Sequence, residues 1–235
     1  MITLDYRKYL AEFLGTFALV FIGMSAVSIN LATNGTALGL VGIALAHGLV
    51  LMTMIYALSH ISGAHFNPSI TIAMAATKKI DLKTTVAYII SQLLGAIVAG
   101  FLVYTIFLQV SSGAVSKQVV YGFNSDMPLV TGLLVEGVLT FFLALAVFGS
   151  TDKKAPAGFY GIAIGLVLTF DILVGGLISG AAMNPARWFG PAIATQTFLV
   201  NQLAYVVGPI VGALVAGLLY EYGLKEKEEK KTKKE

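Results

Sequence analysis

The chain has 235 residues, of which 57% are hydrophobic and only 11% are charged; its formal net charge is +3, and it contains no cysteine. So few polar residues cannot cover a water-soluble globule of this length, so lipid is the expected solvent. Without cysteine, disulfides and thiolate metal ligands are excluded.

Long uncharged stretches dominate the first half of the chain. No Asp, Glu, Lys or Arg occurs between Glu12 and Lys78, or between Lys83 and Lys117. An apolar helix needs about 20 residues to cross a bilayer, so the first stretch is long enough for more than two crossings. The whole pattern predicts six transmembrane helices, at residues 9–29, 37–58, 84–107, 129–149, 158–178 and 201–222.

The positive charges are predicted to share one side of the membrane. That side carries Arg7, Lys8, Lys78, Lys79, Lys83, Lys153, Lys154 and the lysines from Lys225 onward. The other side carries only Lys117 and Arg187. Cytoplasmic loops are enriched in Lys and Arg. Both termini are therefore expected in the cytoplasm, with the cell membrane as the expected location.

Three pairs of segments repeat between the two halves of the chain. They are 62–68 with 179–185, 94–100 with 211–217, and 12–17 with 136–141. The first two pairs share one offset of 117 residues, from 62 to 179 and from 94 to 211. Each half then holds three spans, and this odd number makes the second half enter the membrane from the opposite side. The sequence therefore predicts an inverted repeat, with halves at about 1–110 and 128–224.

An Asn-Pro pair lies in each half, at 67–68 and 184–185, and a short apolar stretch follows it. Asn is favoured as an N-cap and Pro at the first helical position, so each pair predicts a helix start. The first stretch has about ten residues, roughly half of what a bilayer requires. Irregular backbone at membrane depth survives where it is buried in protein or lines a watery cavity.

Two half-helices that enter from opposite faces therefore predict a pore. Their N-termini would meet at its centre, where the positive helix ends repel cations. We expect residues 1–224 to form a single transmembrane channel domain, and 225–235 to form a charged cytoplasmic tail.

The segments 11–17, 62–68 and 179–187 resemble those of the aquaporin (major intrinsic protein) family, and the likeness extends over nearly the whole chain. The resemblance implies a right-handed bundle of six helices per subunit, a homotetramer, and one narrow pore in each subunit. It also implies that the side-chain amides of Asn67 and Asn184 donate hydrogen bonds to passing water.

The two family motifs fall on Asn67, Pro68 and Ser69, and on Asn184, Pro185 and Ala186. Ser69 replaces the usual Ala, and we expect its hydroxyl to bond a nearby carbonyl. The resemblance further implies a row of pore-lining carbonyls at Gly63, Ala64, His65, Phe66, Gly180, Ala181, Ala182 and Met183. Central donors flanked by acceptors pass water in single file, while the positive centre opposes proton transfer.

Aligned on these motifs, the family's selectivity filter falls on His47, Ile172, Ala181 and Arg187. An arginine at membrane depth normally faces a cavity or a partner. For His47, the alternative is a buried histidine bonded to a helix carbonyl. The set resembles the filter of vacuolar-type (tonoplast) plant aquaporins, and it predicts passage of water with ammonia, urea or hydrogen peroxide. A glycerol facilitator is the alternative, and it is less favoured because Trp188 stands where glycerol facilitators carry Asp.

Three acidic residues and one histidine need separate interpretations. Glu12 and Glu136 occupy matching places in the repeat, and the resemblance implies structural bonds to the re-entrant backbone. Asp171 could cap a helix, contact another subunit or tune the outer vestibule. His65 could line the cytoplasmic vestibule and gate by protonation, although a fixed structural hydrogen bond is the favoured interpretation.

Other classes of protein fit the sequence less well. A secondary transporter also has inverted repeats and broken helices, and a family member can serve as a non-conducting scaffold. An enzyme is the least favoured class, because the sequence has no catalytic triad pattern, phosphate-binding loop or metal cluster. We expect no cofactor, no metal and no nucleic acid, only water, small solutes, lipid and other copies of the chain.

Overall fold

A computed structural model describes residues 5–110, 122–124 and 126–226. The described residues form eight α-helices: α1 Tyr6–Ala32, α2 Gly39–Ser62, α3 Pro68–Ala76, α4 Leu82–Val110, α5 Leu129–Ser150, α6 Tyr160–Gly175, α7 Pro185–Thr195 and α8 Ala204–Leu219. A 3₁₀ turn at Val200–Leu203 precedes α8, and a π-helical turn at Tyr220–Leu224 follows it. Lys117 and most of the predicted tail, 227–235, lie outside the described residues.

The predicted fold class is confirmed: six longer apolar helical segments accompany two short helices, α3 and α7. Five segments are long and apolar enough to span a bilayer, namely α1, α2, α4 without its last residue, α5, and α8 together with its flanking turns. The sixth, α6, has 16 residues, which is roughly 24 Å at 1.5 Å per residue. It ends at Gly175 and not at the predicted residue 178, because the N–H groups of Ile178 and Ser179 turn back to the Gly175 carbonyl.

The two halves of the chain pack in the same way. Helix α1 lies along α4 in the first half, and α5 lies along α8 in the second. Each short helix then packs against the other half: α3 contacts α8, and α7 contacts α4. Among the long helices, the most extensive contact between the halves is that of α2 with α6. The N-terminal ends of the short helices are therefore buried between the halves.

Small residues at the repeated positions allow close helix crossings. A Cβ atom at Gly95 would stand 2.4 Å from the Phe13 carbonyl oxygen, and a Cβ at Gly212 would stand 2.0 Å from the Gly137 carbonyl oxygen. Both contacts are too short for any side chain, so only glycine permits α1 to approach α4, and α5 to approach α8. Close backbone approach of this kind stabilises helix pairs in lipid.

Candidate functional site

Each short helix begins at the asparagine of an Asn-Pro pair. Asn67 and Asn184 both have extended backbone, and the proline that follows occupies the first helical position. The Asn67 Oδ1 atom accepts from the Ser69 N–H at 2.9 Å. The Asn184 Oδ1 atom accepts from the N–H groups of Ala186 at 3.0 Å and Arg187 at 3.3 Å. Both side chains are therefore N-caps whose oxygen faces its own helix.

The two asparagine side chains also join the halves crosswise. The Asn67 Nδ2 atom donates to the Met183 carbonyl at 2.8 Å, and the Asn184 Nδ2 atom donates to the Phe66 carbonyl at 2.9 Å. The N-termini of α3 and α7 consequently meet inside the protein. Each amide carries two N–H donors, and the second has no partner among the described residues. One N–H per asparagine is thus free at the meeting point of the helices.

The loops that precede α3 and α7 share one unusual backbone pattern. Gly63, Ala64 and Phe66 have positive φ, and the matching residues of the second loop, Gly180, Ala181 and Met183, have positive φ as well. Each non-glycine residue in this region costs about 1–3 kcal/mol. The surrounding structure must hold both loops in place, and two buried glutamates contribute most of that support.

Glu12 holds the first loop through both of its carboxylate oxygens. Oε1 accepts from the Ser62 hydroxyl at 2.6 Å and the His65 N–H at 3.0 Å. Oε2 accepts from the Phe66 N–H at 2.7 Å and from the Gln92 side chain at 2.8 Å. The carboxylate is fully buried. Glu12 therefore joins α1 to the first loop and to α4.

Glu136 holds the second loop in the same manner. Its Oε1 atom accepts from the Ser179 hydroxyl at 2.6 Å and the Ala182 N–H at 2.9 Å. Its Oε2 atom accepts from the Met183 N–H at 2.6 Å. Glu136 is also fully buried. The two glutamates therefore carry out one task at equivalent places in the two halves.

Four supporting residues were not singled out from the sequence. Ser62 and Ser179 each take part in the glutamate network and accept from a loop N–H, that of Ala64 or Ala181, at 3.0 Å. The Tyr88 hydroxyl donates to the Ser62 carbonyl at 2.7 Å, and the Tyr205 hydroxyl donates to the Ser179 carbonyl at 2.6 Å. Tyr88 and Tyr205 stand 117 residues apart, so a search at the repeat offset could have found them.

The two networks differ at one pair of positions. In the first half, Gln92 Nε2 donates to both Glu12 and the Thr71 hydroxyl. At the repeat offset, Pro209 replaces Gln92 and Trp188 replaces Thr71. Trp188 packs on Tyr205 with the ring centroids 6.2 Å apart. The second loop is therefore supported by aromatic packing where the first has an additional hydrogen bond.

A series of cavities leads past the asparagines. An outer cavity is bordered by Val27, Ile43, Ile172 and Arg187 among others. An inner cavity is bordered by Asn67, Asn184 and Arg187, with apolar side chains from α1, α2, α5 and α6. Arg187 borders both, so its side chain marks the boundary between them. The inner cavity shares Ile55, Ala64, His65, Val147 and Ile164 with a third cavity that opens at the other end.

Arg187 is fixed at this boundary by the second loop. Its guanidinium donates to the Ala181 carbonyl, and it lies 3.4 Å from the Gly180 carbonyl oxygen. The guanidinium carbon also lies 5.3 Å from the centre of the Phe123 ring. Only 5% of the residue is exposed. An arginine held this tightly presents its remaining donors in one fixed direction.

The other three filter positions have different surroundings. Ile172 borders the outer cavity. Ala181 is buried and contributes its carbonyl to Arg187. His47 is fully buried, and its Nδ1 atom lies 2.8 Å from the Ile43 carbonyl oxygen. That carbonyl can only accept, so Nδ1 carries a proton; in the neutral ring Nε2 is then an acceptor, and it has no partner among the described residues.

Two smaller expectations have different outcomes. The hydroxyl of Ser69 has no partner among the described residues, so the expected bond to a carbonyl is not formed. Within a helix such a hydroxyl bonds a carbonyl three or four residues back, but Ser69 is the second residue of α3, so those carbonyls belong to the non-helical loop. The His65 ring has a hydrogen bond from Nδ1 to the Thr71 hydroxyl at 3.1 Å and an edge contact with Tyr88. His65 therefore has the structural bond that the sequence favoured.

Asp171 does not fit two of its three predicted roles. It lies inside α6 and is 1% exposed, and neither carboxylate oxygen has a partner among the described residues. A helix cap would show a bond to a backbone N–H, and a subunit contact would lie on the surface. A buried carboxyl without partners is costly, so we expect this residue to weaken the fold.

Replacement of Asp171 by leucine is expected to stabilise the protein. The change removes an unpartnered polar group and fills nearly the same space, and the analogous replacement of buried ionic groups gains about 1–4 kcal/mol. Thermal unfolding in detergent should show a higher midpoint for Asp171→Leu. The exposed Asp126 provides the control, because Asp126→Leu should leave the midpoint unchanged. A lower midpoint for Asp171→Leu would show that the carboxyl has a stabilising partner.

Comparisons with known proteins agree on one family. A sequence profile described as Major intrinsic protein matches residues 2–220. Aquaporin Z of Rhodopseudomonas palustris is 39% identical over 92% of this chain and 93% of its own length. Aquaporin AqpM of Methanothermobacter thermautotrophicus is 40% identical over 92% and 96%, respectively. Aquaporin NIP3-1 of Arabidopsis thaliana is 40% identical over 93% of this chain and 67% of its own length.

A solved structure has the same fold. The X-ray structure of the aquaglyceroporin from Plasmodium falciparum superposes with a TM-score of 0.83 at 27% sequence identity. The superposition covers 94% of this chain and 97% of the other.

Proposed function

The chain belongs to the major intrinsic protein family, and from that premise we propose that it is a passive pore for water that also admits small neutral solutes. Members of the family are channels and not enzymes, and this chain is a multi-pass membrane protein of the same kind. The observation that carries the proposal is the crosswise meeting of Asn67 and Asn184 beside an inner cavity. Their free N–H groups are the donors that the proposal assigns to passing water.

Water passes and protons do not, on this proposal, because donors and acceptors are arranged around the centre. The two free amide N–H groups each bind a water oxygen, which turns both water hydrogens away from the centre. The acceptors are the loop carbonyls from Gly63 to Phe66 and from Gly180 to Met183. Those of Phe66 and Met183 already accept one amide bond each, and a carbonyl has a second lone pair. The positive ends of α3 and α7 add a barrier to cations.

The range of solutes is assigned to His47, Ile172, Ala181 and Arg187. Arg187 supplies donors, Ile172 an apolar wall, and His47 an acceptor nitrogen. A solute that both donates and accepts hydrogen bonds, such as urea or ammonia, matches this set, as does hydrogen peroxide. The resemblance to vacuolar-type aquaporins concerns these four positions only. The relatives reported above are bacterial, archaeal and NIP-type plant proteins.

A glycerol facilitator is the second candidate function. The solved structure that superposes on this chain is an aquaglyceroporin, which supports that candidate at the level of the fold. Trp188 argues against it, because its ring is 9% exposed and packs on Tyr205 beside the second motif. A secondary transporter would instead move a solute uphill at the expense of an ion gradient, and equilibration without coupling would exclude it.

The proposal is tested by osmotic measurements on reconstituted protein. Stopped-flow light scattering of proteoliposomes should show rapid water flux, and urea and ammonia flux faster than through bare lipid. We expect His47→Phe to keep the water flux and to lower urea flux about tenfold, since it removes one acceptor and enlarges the ring; tenfold corresponds to about 1.4 kcal/mol.

The control for His47→Phe places the same ring on the outside of the same helix. Val41 is 62% exposed, so Val41→Phe should leave every flux unchanged. Solute flux of the unmodified protein no faster than through bare lipid would confine the pore to water. Glycerol flux that exceeds urea flux would favour the glycerol facilitator.

The assembly and orientation are proposed on the same basis. Large apolar side chains are exposed along α1, α2, α4, α5, α6 and α8, as lipid and neighbouring subunits require. We assign a homotetramer in the cell membrane with both termini in the cytoplasm, residues 1–224 as the channel domain and 225–235 as its tail. Crosslinking of the reconstituted protein tests the subunit number, and protease access to the C-terminus tests the orientation.

A further inference from the structure

On each of two neighbouring helices, residues spaced four apart border the cavities. On α2, Ile43 borders the outer cavity and Leu51 borders the inner one, and His47 lies midway between them. On α1, Val27 borders the outer cavity and Leu19 borders the inner one. The residue midway between these two is Gly23. Since residues four apart share a helix face, Gly23 and His47 stand at the same level, where the two cavities meet.

The side chain of His47 occupies the space that Gly23 leaves empty. A Cβ atom at position 23 would lie 2.3 Å from His47 Nε2, 2.6 Å from Cδ2 and 3.0 Å from Cε1. The ring cannot simply swing aside, because its Nδ1 atom is bonded to the Ile43 carbonyl at 2.8 Å. Its edge is therefore seated in a recess of α1 that exists only because residue 23 has no side chain.

The recess also adjoins Arg187. Gly23 and Arg187 border one small cavity, together with Val20, Met24, Phe123 and Pro191. The unpartnered Nε2 atom of His47 points toward Gly23, and so toward the side of the constriction where this cavity lies. The acceptor of the histidine and the donors of the arginine are thus brought to one region of the constriction by the absence of a side chain on α1.

We propose that Gly23 is a fifth determinant of the constriction, which positions the His47 ring and thereby sets the width of the pore and the direction of its acceptor. The inference rests on the proposed function of His47 as a filter residue. A methyl group at position 23 displaces the His47 ring toward the lumen. The Nε2 atom then no longer points in its original direction. Solutes larger than water, which need both width and the acceptor, are affected more strongly than water.

The inference is tested by a cycle of four proteins: unmodified, Gly23→Ala, His47→Ala, and the double variant. In proteoliposomes we expect Gly23→Ala to lower water permeability about tenfold and to bring urea flux down to that of bare lipid. His47→Ala should conduct water faster than the unmodified protein, because the change removes the ring from the constriction. The double variant should match His47→Ala, because the three atoms nearest to the added methyl group all belong to the imidazole.

Two results would overturn the inference. One is Gly23→Ala with unchanged water and urea fluxes, which would mean that the ring adjusts without cost. The other is a double variant as slow as Gly23→Ala, which would mean that the methyl group acts on α1 and not through His47. Gly149→Ala is the matched control, since a Cβ there meets only Tyr220 at an ordinary 3.5 Å. It should conduct like the unmodified protein.

Thermal unfolding of the same four proteins in detergent gives an answer that does not depend on conduction. Gly23→Ala should lower the unfolding midpoint when His47 is present and leave it unchanged when His47 is alanine. If the unmodified protein conducts no water, the proposed function fails, and this thermal cycle still decides whether Gly23 seats the histidine. If the unmodified protein conducts and the thermal cycle shows no coupling, only the inference about Gly23 fails.

Discussion

Glu136→Ala is expected to abolish water permeability and to lower the free energy of unfolding by about 3–5 kcal/mol. The change leaves three buried donors without an acceptor: the Ser179 hydroxyl and the N–H groups of Ala182 and Met183. Two of the loop residues, Ala181 and Met183, already have positive φ, so the loop depends on bonds from outside to keep this backbone. The loop should relax, and the carbonyls that it presents should turn away from the pore.

Two further variants, Glu136→Gln and Glu12→Ala, are expected to have smaller effects than Glu136→Ala. Glu136→Gln keeps one acceptor oxygen but opposes an NH₂ group to a loop N–H, so its stability should be intermediate. Glu12→Ala should be milder than Glu136→Ala, because the Oε1 atom of Gln92 has no partner and the amide can turn to accept from the first loop. Asp126 is exposed, and Asp126→Ala serves as the control, with a change within about 0.5 kcal/mol.

Thermal unfolding in detergent and stopped-flow water flux measure these effects together. Equal midpoints for Glu136→Ala and the unmodified protein would show that the loop is held by other contacts. A folded variant with full water flux would contradict the role given to the loop carbonyls.

Asn184→Asp should keep the fold and lose most of the water flux. The substitution retains the oxygen that caps α7 but replaces the amide nitrogen, which donates to the Phe66 carbonyl, by a second acceptor. Two acceptors then face each other, and residue 184 no longer has an N–H to orient water. A hydrogen bond is worth about 0.5–1.5 kcal/mol, and the added repulsion should bring the loss of water flux to about tenfold.

The same variant should admit more cations than the unmodified protein. A carboxylate would stand where two positive helix ends meet, and it would cancel part of their repulsion. A pH-sensitive dye inside proteoliposomes measures proton entry beside the water flux. Asn34 is exposed in the turn after α1, and Asn34→Asp should alter neither quantity. Unchanged water flux in Asn184→Asp would remove the asparagine amide from the proposed mechanism.

Local signals in the sequence predicted the helices and the motifs well. Asn67 and Asn184 could be identified because capping and proline preferences act over three or four residues, and such preferences are visible in any sequence. The end of α6 was predicted three residues late, since an apolar stretch continues through Leu177 and Ile178 although the turn begins at Gly175.

Contacts between distant segments could not be predicted in the same way. Tyr88 and Tyr205 look like ordinary helix residues until the loop carbonyls that they bind are placed beside them. Gly23 looks like one of many small residues in an apolar helix, and its relation to His47 appears only when α1 and α2 are side by side. The bond of Ser69 was wrongly predicted because the carbonyls three and four residues before it lie in the loop and not in α3.

The crosswise bonds of Asn67 and Asn184 impose an order on assembly. The first half of the chain is synthesised before residue 184. Until then, the Phe66 carbonyl and the Asn67 amide lack the partners that the second half supplies. Neither half alone can form the centre of the pore. The first half therefore remains incomplete until the second half has been made. The centre of the pore therefore cannot form before the second Asn-Pro pair has been made and inserted.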